Sequence, residues 1–157
     1  MKSFFDFISK NLKKVSIGLF GTIILCFLMP FVSIQCAGNT IYTFSGYDLI
    51  IGKTIEGDRH IGNIYVTLAL ISAIVGFALT FLRYRLRSIL TFISGLLGAT
   101  FLLTFQIEAK VNLSKSVNKE DLSSIISVVF RYGYWITLLL FIVVSIITGY
   151  FAFSRKD

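Results

Sequence analysis

Ile64-Tyr-Val-Thr-Leu-Ala-Leu-Ile-Ser-Ala-Ile-Val-Gly-Phe-Ala-Leu-Thr-Phe-Leu82, then Arg83-Tyr-Arg-Leu-Arg87, then Ser88-Ile-Leu-Thr-Phe-Ile-Ser-Gly-Leu-Leu-Gly-Ala-Thr-Phe-Leu-Leu-Thr-Phe-Gln106: this is the stretch whose reading decides the fold. Two uncharged apolar runs flank a five-residue link that carries three arginines. A helix rises about 1.5 Å per residue, so each run is long enough to cross the ~30 Å hydrocarbon layer of a bilayer. So short a link forces the two helices to run antiparallel. Its arginines place the turn on the cytoplasmic side, because Lys and Arg are retained there.

Working outward, two more runs have the same character. Leu12 to Met29 ends at Pro30, which lacks an amide proton and disfavours helix in the residue before it. Tyr134 to Phe153 lies near the C-terminus, and Tyr132, Tyr134 and Trp135 stand at its outer edge, as interfacial aromatic anchors do. Each of the four spans runs 18 to 20 residues with no charge in its central turns. Ahead of the first span, Phe4, Phe5, Ile8 and Leu12 fall at helical spacing, with Lys2, Asp6, Ser9 and Lys10 largely elsewhere. This pattern predicts a short interfacial helix over 1–11.

Composition supports lipid as the solvent. The 157 residues are 55% hydrophobic and 15% charged, against about 25% charged in a typical soluble domain. The length allows one domain, 1–157. The net charge of +7 is entirely one-sided. Lys2, Lys10, Lys13, Lys14, Arg83, Arg85, Arg87, Arg155 and Lys156 face only Asp6 and Asp157 on the side assigned to the cytoplasm. In the other two connections Lys53, Arg59, Lys110, Lys115, Lys119 and Arg131 are matched by Asp48, Glu56, Asp58, Glu108, Glu120 and Asp121. The distribution predicts cytoplasmic N- and C-termini and argues against a nucleic-acid partner, which needs a basic face on a folded domain.

The external connections, 35–63 and 107–133, hold what is not simply lipid-soluble. Val32-Ser-Ile-Gln-Cys36 and Ile41-Tyr-Thr-Phe-Ser45 alternate and are rich in β-branched residues, with Ala37-Gly38-Asn39-Thr40 as turn chemistry between them. They predict an antiparallel hairpin, and Ile125–Tyr132 is a candidate third strand whose spacing also fits a helix. Gly46 and Gly52 bracket a short turn or helix around Tyr47–Ile51, with Leu49 packed beneath the sheet. The fold class expected is an all-α membrane protein: a four-transmembrane-helix bundle with a small antiparallel β-element on the non-cytoplasmic side.

Chemistry-bearing motifs are few. Gly46-Tyr-Asp-Leu-Ile-Ile-Gly52-Lys53-Thr54 has five residues where a phosphate-binding loop has four, and no apolar parallel strand precedes it. Cys26 and Cys36 would stand about 15 Å apart on a helix, beyond the ~7 Å limit between disulfide-linked α-carbons. Cys26 reads as lipid- or core-facing and Cys36 as a buried strand residue. His60 is the only histidine and has no paired ligand nearby, so no metal and no cofactor is expected. Glu108, Glu120 and Asp121 read as surface charges. The spans lack the intramembrane acids that mark proton-coupled transport. Ser72-x3-Gly76, Ser94-x3-Gly98 and Gly95-x3-Ala99 allow close helix approach, either within the bundle or against another subunit; Gly18 and Gly21 do the same on the first span.

The pattern Pro30-x5-Cys36-x-Gly38 followed by Phe44-Ser-Gly46-x2-Leu49-x2-Gly52 resembles the first loop of a diffuse set of small bacterial four-span inner-membrane proteins without an assigned function. Their last span is similarly introduced by a step like Arg131-Tyr-Gly-Tyr-Trp135. The layout also resembles the claudin type, without its tryptophan motif or two loop cysteines. The resemblance implies a bacterial inner (cytoplasmic) membrane and transfers no catalytic residue. The reading that follows is a non-enzymatic scaffold or accessory subunit, in contact with the bilayer and with another membrane protein or a second copy of itself. Its expected interaction surface is Cys36, Gly38, Phe44, Gly46, Leu49 and Gly52, and its expected helix-packing residues are Ser72, Gly76, Ser94, Gly95 and Gly98. A transporter or channel component is the alternative.

Overall fold

The structure, a computed structural model, describes residues 2–36, 39–52, 54–55, 58–59, 62–81, 87–116 and 126–153. In chain order the elements are α1 (Lys2–Cys26), β1 (Pro30–Cys36), β2 (Asn39–Ser45), α2 (Gly46–Ile51), β3 (Thr54–Ile55), β4 (Asp58–Arg59), α3 (Ile64–Leu79), α4 (Arg87–Ser116), β5 (Ile126–Phe130) and α5 (Tyr132–Phe153). The protein is mostly helical with a small three-stranded antiparallel sheet. The long helices pack in a ring, α1 against α3, α3 against α4, α4 against α5 and α5 back onto α1. Neighbours around the ring run antiparallel, so all β-structure gathers at one end.

Two helices are long and apolar enough to cross a membrane, Ser88–Val111 within α4 and Tyr132–Phe153. The apolar parts of the other two, Lys14–Cys26 and Ile64–Leu79, are shorter. Several expected boundaries move for local reasons. The separate interfacial helix over 1–11 is continuous with the first span, since nothing between Lys2 and Cys26 breaks the helix. That helix stops at Cys26, where amides of Phe27, Leu28 and Met29 bond to carbonyls three residues back, a tightened last turn ahead of Pro30. Of the expected spans, the second is α-helical only as far as Leu79, as the Thr80 amide and hydroxyl both turn back on the Phe77 carbonyl. The third continues past Gln106 to Ser116, because 107–116 contains neither Gly nor Pro. The fourth begins two residues early, at Tyr132.

The hairpin forms as expected, with Cys36 opposite Asn39 and Ser33 opposite Thr43. Strand is the outcome for the ambiguous segment, over Ile126–Phe130, paired antiparallel to β1 in the order β2-β1-β5. Ile125 lies outside the described residues, and Tyr132 already belongs to α5. Register shifts between Pro30 and Val32 and between Ile34 and Gln35 leave Phe31 and Ile41 unpaired, and such bulges bend a strand. Phe31 is fully buried against Phe27 and Tyr134; Ile41 is exposed.

The bundle axis is filled. Phe20, Ile23, Leu102, Phe141 and Val144 are buried at its centre. Buried hydroxyls of Ser72, Thr137, Ser145 and Thr148 each donate to the carbonyl four residues back, so they need no partner from another helix. The outside of the bundle is equally apolar. Ile71, Ile74, Leu97, Leu139, Ile142 and Ile146 are exposed, with Ile146 at 66%.

Candidate functional site

The candidate site is the sheet and what lies beneath it. Strand alternation gives it two unlike faces. Val32, Ile34, Phe44, Val128 and Phe130 share the face turned toward the helices, by the pairings Val32–Phe44, Val32–Phe130 and Ile34–Val128. Ser33, Gln35, Thr40, Thr43 and Ser127 share the other, with one apolar residue, Val129, opposite Ser33. Across that polar face lies Arg131. Its Nε donates to Ser33 Oγ at 2.7 Å on the central strand, and one terminal nitrogen donates to Thr40 Oγ1 at 3.0 Å on β2. Its backbone amide bonds the Phe31 carbonyl at 2.8 Å. Ser33, fully buried, is also within 3.2 Å of the Thr43 hydroxyl, and Gln35 donates to Thr40. One arginine from β5's end thus ties all three strands.

The sheet joins the bundle at a junction of backbones. The Phe27 and Met29 carbonyls accept the amides of Tyr47 and Gly46, which locks the start of α2 onto the end of α1. A side chain at Gly46 would place its Cβ 2.8 Å from the Phe27 carbonyl oxygen, and one at Gly133 would sit 2.5 Å from that of Pro30. Two glycines from distant parts of the sequence therefore clasp the 27–30 turn. The start of α2 is further held by a capping box: Ser45 Oγ accepts the Asp48 amide, and the Asp48 carboxylate accepts both the amide and the hydroxyl of Ser45. Gly52 closes α2 with φ of 81°, a conformation only glycine adopts without strain.

Beneath the apolar face is a cavity of about 280 Å³, lined chiefly by Val32, Ile34, Phe44, Leu49, Phe105 and Val128. Asp48, Gly52, Asn63 and Ala109 complete its wall. Asn63 caps α3, its Oδ1 accepting the amides of Tyr65 and Val66, while its Nδ2 donates to Glu108 at 2.9 Å. Glu108, expected as a free surface charge, is instead part-buried and links the start of α3 to α4.

The expected interaction surface is largely internal. Phe44 and Gly46 are buried, Leu49 packs against the core as expected, and Phe44, Leu49 and Gly52 meet in the cavity wall. Cys36, expected as a buried strand residue, is a strand residue half-buried at the far end of β1 and is not brought to them. Gly38 lies outside the described residues, as do His60, Glu120 and Asp121. The helix-packing residues do come together. Ser94 Oγ donates to the Ser72 carbonyl at 2.6 Å, and a Cβ on Gly95 would lie 2.5 Å from Ser145 Oγ. A Cβ on Gly76 or Gly98 would strike the rings of Phe20 and Phe141. They pack helix on helix inside the bundle, not toward a second subunit. The phosphate-loop likeness dissolves too, since Gly46–Ile51 is helix.

Arg131, Ser33, Thr43 and Asn63 were missed by motif reasoning. The alternation Val32-Ser-Ile-Gln held the signal for the polar face, and an Asn directly before an apolar run is a helix-start signal. No sequence pattern announces that Arg131 reaches two strands. Among the described residues no group of three His, Cys, Asp or Glu could hold a metal ion. Compared with protein-family models, curated proteins and solved structures, the chain matches none.

Proposed function

We propose that this chain is a four-span protein of a bacterial inner membrane, with both termini cytoplasmic, that acts without catalysis as a scaffold or accessory subunit through the polar face of its external sheet. The observation that carries the reading is the pairing of two surfaces. The helices wear an apolar coat that only lipid would solvate without penalty, Ile71, Leu97, Leu139 and Ile146 among it. At one end of that coat stands a sheet whose outer face is polar and pinned by Arg131. Such a face is pre-organised, so a partner docking there orders little further chain. Four spans require the two shorter apolar helices to cross as well: Lys14 would extend the reach of Lys14–Cys26 by snorkelling, and a local thinning of the bilayer would accommodate Ile64–Leu79.

A transporter or channel component gains less support. The axis is closed by Phe20, Ile23, Leu102 and Phe141, the buried hydroxyls of Thr137, Ser145 and Thr148 are satisfied by their own helix, and those of Ser94 and Tyr134 by carbonyls of a neighbouring one.

The test is affinity purification of the full chain from its native membrane in mild detergent. Thr43 is exposed on the polar face, and Leu139 is exposed on α5. A specific partner should be lost from Thr43→Trp and kept by Leu139→Trp. The reverse pattern would move the interaction to the helices, and no specific partner with the wild type would refute the scaffold role.

A further inference from the structure

Arg131 uses only part of its bonding capacity on the strands it ties. A guanidinium carries five N–H donors, and two of these are engaged, Nε on Ser33 and Nη2 on Thr40. Its other terminal nitrogen, Nη1, bonds none of the described residues. No buried side-chain nitrogen or oxygen among those residues lacks a partner, so Nη1 stands open at the surface. Both engaged partners are neutral hydroxyls, and no carboxylate among the described residues is bonded to the guanidinium. Thr40 and Thr43 are exposed on the same face and add their hydroxyls to the site.

The level of Arg131 in the fold selects the anion. The residue stands at the start of α5: its carbonyl accepts the Tyr134 amide, and its own amide bonds the Phe31 carbonyl. Phe31 follows the end of the first helix, where Leu28 and Met29 are exposed. Tyr132 and Trp135 are exposed in the first turn of α5, as aromatic anchors at headgroup depth are. On α4, the Gln106 side chain that accepts the Tyr134 hydroxyl lies two residues before Glu108, the first charge after that helix's apolar run. Along α5, Trp135, Leu139, Ile142 and Ile146 follow at steps of four, three and four, and all are exposed. One further step of four leads back to residue 131, so the arginine heads an apolar stripe on one helix face.

We propose that Arg131 holds the phosphodiester group of a lipid in the non-cytoplasmic leaflet, whose hydrocarbon chain lies along the Trp135–Ile146 stripe of α5. This rests on the membrane placement above. Guanidinium and phosphate form short, charge-assisted hydrogen bonds, and the open Nη1 supplies two donors for them. The bonds to Ser33 and Thr40 hold the guanidinium still, so lipid binding orders little further side chain. The carboxylate of a protein partner would match the charge alone. A lipid matches the charge and the stripe below it, because its anion and its hydrocarbon belong to one molecule in that order.

Trp135 is the only tryptophan, so its fluorescence reports the lipid at this site. The full chain is placed in vesicles of equal parts phosphatidylglycerol and digalactosyl diacylglycerol, which has no phosphate. The chains of one lipid or the other are brominated, and bromine quenches the indole it touches. Occupancy by the phosphate lipid should exceed that of the glycolipid by about 2–5-fold, the range of an exposed ion pair. Arg131→Met should bring the ratio close to one. Thr43→Asp sets a carboxylate beside the guanidinium, keeps the arginine's bonds to the strands, and should also abolish the preference. Should Arg131→Met fail to fold, Thr43→Asp decides. Inorganic phosphate, against chloride at matched ionic strength, should leave the preference in place; its loss would overturn the lipid as the source of the anion. Equal quenching by both lipids in the wild type overturns the proposal and leaves the guanidinium to an acidic protein partner. A preference that persists in both variants overturns it as well. An indole quenched by neither lipid overturns the membrane placement itself, and the scaffold role stands or falls separately in the affinity purification.

Discussion

At the scale of single residues, the protein depends on backbones that approach more closely than a side chain allows. Gly133 lies against the Pro30 carbonyl, whereas Gly18 has open space where a Cβ would go. Gly133→Ala should therefore cost about 1–3 kcal/mol, since backbone must move to admit it. Gly18→Ala should be neutral or stabilising by up to about 0.5–1 kcal/mol, the ordinary helix preference for Ala. Thermal melts in detergent compare the two, and equal midpoints would refute the account of the junction. Arg131 is the second such residue. Arg131→Met keeps the stem and removes both donors, leaving Thr40 and the buried Ser33 with fewer bonds. The expected loss is about 1–3 kcal/mol, with faster amide exchange in both β1 and β2. Faster exchange confined to β5 would show that the arginine does not bridge the strands. Neither role was legible in sequence. Gly133 and Pro30 are far apart in the chain, and the reach of Arg131 follows from register, not from composition.

At the scale of elements, local rules and tertiary pairing divided the outcome. The hairpin was readable because β-branched alternation and a turn occur together within 32–45. The third strand was ambiguous because Ile126-Ser-Val-Val-Phe130 suits either period, and pairing with β1 decided it. The short helix α2 rests on its capping box, so Ser45→Ala should cost about 0.5–2 kcal/mol. Asp48 faces the cavity, so the same change should raise amide exchange at Gly46–Asp48 before it affects the bundle. Unchanged exchange there would mean that the Phe27 and Met29 carbonyls hold α2 without the cap. Helix lengths were the least readable feature. Thr80 and Phe81, after Leu79, do not continue the α-helix, and the mixed run after Gln106 does.

At the scale of the whole molecule, the one-sided charge makes a sharp topological statement. Alkaline phosphatase fused after Asp58 or Lys115 should be active, and after Tyr84 or Lys156 inactive, because nine basic residues and two acids share the side that the positive-inside rule assigns to the cytoplasm. Activity after Tyr84 would invert the arrangement. The cysteines offer an independent check. Cys26 is buried in the bundle and Cys36 half-buried in the sheet, and both are free. A membrane-impermeant maleimide should label Cys36 in intact cells and leave Cys26 unlabelled, and oxidation should produce no loss of two hydrogens in the monomer's mass. The sequence by itself determined the apolar helices, the antiparallel order of the two beside Arg83–Arg87, and the hairpin, because hydrophobic period, turn chemistry and helix breakers act within a few residues. Only the tertiary structure decided that β5 is a strand, that Gly76, Gly95 and Gly98 face helices of the same chain, and that Phe44 points inward over a cavity. Those outcomes depend on which distant residues meet, and a side chain's face is settled by what is packed against it.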